Sequence, residues 1–70
     1  MMPLTLADTE KEYVIRKVGG SQEVRMHLEN LGFVPGGSVT VVAQMAGNLI
    51  VNVKETRIAL DRMMAQKIMV

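Results

Sequence analysis

The sequence predicts a mainly β fold, a small, partly open, five-stranded barrel with one short α-helix after the first strand. Three observations predict it. Runs of β-branched and apolar residues, Ser38-Val39-Thr40-Val41-Val42 the clearest, stand between glycine- and proline-bearing corners, the composition of short strands. Two such runs meet at Ala46-Gly47-Asn48, a glycine-containing turn that signals a β-hairpin. Ahead of them Val24, Leu28 and Leu31 recur at i, i+4 and i+7, one face of a helix.

The elements follow in order. Residues 1–10 are a lead-in segment, with Leu4 and Leu6 as anchors and Ala7-Asp8-Thr9 as a turn. Glu12 to Val18 is the first strand, carrying Tyr13, Val14, Ile15 and Val18. Val14 and Ile15 are adjacent and point opposite ways, which a bulge or burial on both faces would accommodate. Gly19-Gly20 ends the strand, and Ser21 caps the helix by accepting a bond from a first-turn N–H. Gly32 closes the helix in the left-handed conformation, and Phe33 folds back on its last turn.

At Val34-Pro35-Gly36-Gly37 proline fixes φ at the first corner and Gly36 is free to take positive φ at the second. The second strand, Ser38 to Met45, places Val39, Val41, Ala43 and Met45 on one face and Thr40, Val42 and Gln44 on the other. Leu49 to Lys54 returns as the third strand, Val51 and Val53 toward the core and Asn52 and Lys54 toward water. Glu55-Thr56 is a tight turn and Arg57 to Leu60 the fourth strand. Asp61 caps a 3-10 or short helical turn through Arg62-Ala65, and Lys67 to Val70 is the last strand. Val39, Val41, Val51 and Val53 are expected to be buried together with Leu28 and Leu31.

Composition bounds the function. Seventy residues make one domain, 1–70, and a chain this short hides only ~60% of its unfolded surface, so its apolar positions are committed to one small core. Eight Lys and Arg against seven Asp and Glu leave a net charge of +1, which argues against nucleic acid as a partner, since phosphate binding rests on clustered cations. With no cysteine there is neither a disulfide scaffold nor a thiolate metal site. The N-terminus does not read as a secretory signal, and no apolar run is long enough to span a bilayer. A cytosolic protein is expected.

Catalytic constellations are missing. His27 is the only histidine, and nothing orders Ser21 or Ser38 beside it with an acid behind. Asp8, Glu10 and Glu12 cluster in a lead-in expected to be mobile and solvated. Gly19-Gly20 and Gly36-Gly37 lack the spacing and lysine of a phosphate loop. No enzyme and no cofactor are expected. As metal ligands, Glu23 and His27, four residues apart on the helix, are the weak candidates; two ligands fall short of the three or four a protein site supplies. The methionines read as core filler in a chain with one Phe, one Tyr and no Trp. Met26 is the exception, because it lies on the helix face away from Val24, Leu28 and Leu31. Arg25, Met26 and Glu29 are therefore the candidate partner-binding residues, while Arg25 and Glu29 also form an i, i+4 pair able to stabilise the helix by ~0.3 kcal/mol. Exposed strand edges leave room for a weak homo-oligomer.

The chain resembles the ferrous iron transport protein A (FeoA) family. The resemblance rests on Gly19-Gly20, Arg25-Met26, Leu31-Gly32-Phe33, Pro35-Gly36, Ala59-Leu60, Ala65, Ile68 and Val70, and covers about Lys11 to Val70. Two departures stand at turns. The family carries a glycine before the first strand, where Thr9 or Glu10 stands here, and another where Glu55-Thr56 stands. The resemblance implies an SH3-like barrel and a small cytosolic accessory of the FeoB-type ferrous iron permease, touching the membrane only through that partner. It also leaves as alternatives an SH3-like regulatory domain acting with an iron-dependent repressor, or a weak direct binder of divalent metal.

Overall fold

Backbone pairing builds two antiparallel sheets. In the computed structural model, which describes Met1–Val70, the strands are β1 (Glu12–Val14), β2 (Lys17–Val18), β3 (Ser38–Met45), β4 (Asn48–Val53), β5 (Thr56–Leu60) and β6 (Ile68–Met69). Helix α1 is Gln22–Asn30, and α2 is the single turn Arg62–Ala65. One sheet has the order β1-β3-β4-β5, and β2 pairs with β6 in the other. Mainly β with a short helix after the first strand is the expected class.

The strand count is six rather than five because the first strand breaks at Ile15. Its N–H donates to the Gly37 carbonyl at 2.8 Å, and the Arg16 N–H donates to that of Met69 at 2.8 Å. The chain thus changes partner from β3 to β6 and turns the corner of the barrel. Val14 and Ile15 do point opposite ways, 53% and 1% exposed, so one of the pair enters the core.

The β3–β4 hairpin has the expected place and a shifted register. Val41 pairs with Val51 but Ala43 with Ile50, so Val42 is an extra residue on β3. A bulge flips alternation beyond it. Met45, expected inward, is accordingly 64% exposed. The next turn is Lys54-Glu55, one residue earlier than expected, with Val53 paired to Thr56.

The lead-in is a strap, not a mobile tail. Met2 and Val70 exchange two hydrogen bonds of 2.8 Å, tying the ends of the chain together. Leu4–Leu6 forms a 3-10 turn, in which residues three apart share a side. Leu4 and Ala7 are therefore buried, while Leu6, expected as an anchor, is 69% exposed. Beyond it the Glu10 N–H donates to the Val41 carbonyl at 2.7 Å and the Asp8 N–H to the Tyr13 hydroxyl at 3.0 Å. Asp8, Glu10 and Glu12 are exposed, but on pinned backbone.

Helix α1 has the caps its sequence specifies. The Ser21 hydroxyl accepts from the Val24 N–H at 3.2 Å. At the other end Phe33 N–H bonds to Leu28 O and Gly32 N–H to Glu29 O, the two bonds of a Schellman motif. Leu28 and Phe33 are fully buried beside Val39, Val41, Val51 and Val53. Leu31, expected with them, is only half-buried, because the helix ends there and Phe33 fills the space beneath. No polar side chain is buried.

Candidate functional site

With Val24 and Leu28 turned toward the barrel, α1 presents its opposite side to solvent. Arg25, Met26 and Glu29 are all exposed there, Met26 at 55%. They form one wall of a groove of ≈ 350 Å³, completed by Gln22 from α1, Val18 from β2, and Phe33 and Pro35 from the corner after the helix. The structure thus brings the three partner-binding candidates together on one concavity.

Local sequence explains the groove. The Schellman closure folds Phe33 back under the helix, and the Val34–Gly37 turn, closed by a 3.0 Å bond from Gly37 N–H to Val34 O, sets Pro35 opposite it. Two bonds to Ile15, from Gly36 N–H at 2.7 Å and to Gly37 O at 2.8 Å, lock that corner to the strand break. The result is a floor whose accessible apolar part is Val18 and Pro35, with Phe33 fully buried behind it, beneath a rim with a guanidinium and a carboxylate one helical turn apart. Such a surface can seat an apolar side chain and bond polar groups of either sign. It holds no nucleophile and no acid–base pair.

Glu23 and His27 lie on the other flank of α1, in a hollow of ≈ 400 Å³ shared with Val24, Met26, Asn30 and Met64. Nowhere in the molecule do three or more His, Cys, Asp or Glu side chains converge. The outer face of the larger sheet forms a third, entirely polar hollow, where register aligns Glu12, Thr40, Asn52 and Arg57 across four strands. Its cations Lys54 and Arg57 are matched by Glu12 and Glu55, so it carries no charge preference. No helix is long and apolar enough to cross a membrane.

Four groove residues, Val18, Gln22, Phe33 and Pro35, are not among the contacts expected from the sequence. Gln22 was legible, since residues 22, 25, 26 and 29 follow helical spacing on one side. Val18 and Pro35 were not, because only the corner bonds at Ile15 and the helix cap bring them to α1.

Comparison with known proteins shows the family and the fold. Residues 2–70 match the model of the FeoA domain. A protein of Methanocaldococcus jannaschii with the provisional name Fe(2+) transport protein A is 30% identical over 70 residues, all of this chain and 85% of its own. A solved iron uptake regulatory protein (FeoA) superposes with a TM-score of 0.90 at 23% identity, over 99% of this chain and 93% of that one. The zinc complex of Stenotrophomonas maltophilia FeoA, described as a prokaryotic SH3 domain protein, gives 0.86 at 29% identity, over 100% and 89%. A manganese-dependent transcriptional repressor gives 0.85 at 16% identity over 94% of this chain but 38% of its own, a likeness of fold alone.

Proposed function

The chain belongs to the FeoA domain family, and from that premise we propose that it is an accessory of ferrous iron transport that docks on the cytosolic part of a FeoB-type permease. The observation that carries the reading is the α1 groove. Arg25, Met26 and Glu29 are side chains the core does not need, yet they stand together over an apolar floor. Arginine is enriched among residues that dominate interface energetics, and a small apolar seat ringed by polar groups is the usual anatomy of such a contact. The relatives' names support the transport context, and the S. maltophilia protein is described as a proposed ferrous iron transport activating factor. No constellation for catalysis accompanies the groove, so the work assigned to it is recognition.

The test is a titration of the Arg25→Glu/Met26→Ala double variant against the cytosolic part of the permease, with thermal melts in parallel. Exposed substitutions of this kind shift stability by only ~0.5 kcal/mol, so the melt is expected to stay in place while affinity falls. Unaltered affinity in a folded double variant would place the contact elsewhere on the barrel.

A further inference from the structure

Strand β5 is the longest uncovered strand edge in the molecule, and its free groups are self-complementary. It ends the four-stranded sheet. Met2 and Pro3 run along the C-terminal strand, and Thr9 and Glu10 lie beside Val41 of β3, leaving Val42–Met45 as a shorter, bulged edge. At the far end of the sheet β1 has three residues, against five in β5.

The two-residue turn Lys54-Glu55 determines which β5 groups are free. In a two-residue hairpin the flanking residues exchange both backbone bonds, and bonded and non-bonded pairs alternate from there. Val53 and Thr56 are the flanking pair, so Thr56, Ile58 and Leu60 bond to β4. Arg57 and Ala59 then turn both N–H and C=O to the open side. Asp61 continues the parity: its C=O holds the Ala65 N–H at 3.0 Å, while its N–H makes no backbone bond. Side chains keep step beyond the turn, with Arg57, Ala59 and Asp61 exposed, Ile58 partly buried and Leu60 buried, while Thr56 beside the turn is exposed.

We propose that this edge pairs antiparallel with the same edge of a second copy, about a two-fold axis at Ala59. In that register the two Ala59 residues exchange a pair of hydrogen bonds, and each Asp61 N–H donates to the Arg57 C=O of the other copy. The Arg57 guanidinium then faces the Asp61 carboxylate on both sides of the axis. Centring the axis on Ile58 would keep the parity but set Glu55 against Asp61, and like charges directly opposite are destabilising, so charge selects the register. The small side chain at Ala59 allows close approach. Beyond Asp61 the chain turns into α2, which packs on β4 and the Leu4–Leu6 turn rather than along the edge. Five residues of contact specify a weak, concentration-dependent dimer, and the α1 groove takes no part in it.

Sedimentation equilibrium and amide exchange by NMR, each at low and high protein concentration, test the pairing. The amides of Ala59 and Asp61 are expected to exchange slowly only at high concentration. Ala59→Pro removes an outward donor without touching the β4 ladder, as proline allows on an edge, and is expected to leave a folded monomer. Arg57→Glu is expected to weaken association ~10-fold. A protein monomeric at every concentration, or a dimer indifferent to Arg57→Glu with those two amides unprotected, would overturn the proposal. Should Ala59→Pro fail to fold, the Arg57→Glu and amide measurements decide alone.

Discussion

Gly36 shows how one residue's backbone can matter more than its surroundings. Its φ is +89, and a Cβ built there would meet nothing within 4 Å. The cost of a side chain is therefore backbone strain alone. Gly36→Val is expected to lose at least ~1 kcal/mol, read as a lower midpoint in thermal or denaturant unfolding; an unchanged midpoint would refute the turn geometry. His27 is exposed with Glu23 as its one acidic companion in a shared hollow. Since a closed site needs three or four ligands, calorimetry with Fe²⁺ or Zn²⁺ is expected to show only weak binding that disappears in His27→Ala. Micromolar stoichiometric binding that survives that substitution would demand ligands elsewhere.

Among the elements, the turns carry the strain. Glu10 and Glu55 adopt φ of 63 and 62, a conformation that costs an ordinary residue ~1 kcal/mol. These are the places where the resemblance led one to look for glycine. Glu55→Gly is accordingly expected to raise stability by up to ~1 kcal/mol, or Tm by ~4–8 °C in a domain of this size. The substitution leaves Lys54 in place, whose side-chain stem lies over Gly32 at the end of α1. A fall in Tm would mean that the Glu55 side chain makes a contribution larger than the strain.

For the whole molecule the decisive feature is the strap that joins the two ends. Leu4 and Leu6 are the same residue type two positions apart, yet they are 0% and 69% exposed. Leu4→Ala should cost ~2–5 kcal/mol by leaving a cavity in the common core, whereas Leu6→Ala should stay within ~0.5 kcal/mol. Parallel melts of the two variants check this, and equal effects would show that the strap does not dock in solution. Because Met2 and Val70 exchange bonds, loss of Leu4 is also expected to speed amide exchange at Val70, at the opposite end of the chain.

By itself the sequence determined the fold class, the helix with both its caps, the β3–β4 hairpin, the Pro35-Gly36 corner and the exposure of Arg25, Met26 and Glu29. All of these rest on contacts between near neighbours, where periodicity, proline and glycine act directly. The tertiary structure alone decided the rest. It broke the first strand at Ile15, because that residue's N–H found Gly37 while its neighbour's found Met69. The bulge at Val42 turned Met45 outward. Leu4, rather than Leu6, entered the core, and Val18 and Pro35 were carried to the side of α1. Each of these outcomes depends on which distant backbone group satisfies an N–H or C=O, and every non-proline residue carries the same pair of groups. Identical donors and acceptors leave no mark in side-chain pattern, so their partners are settled only when the barrel closes.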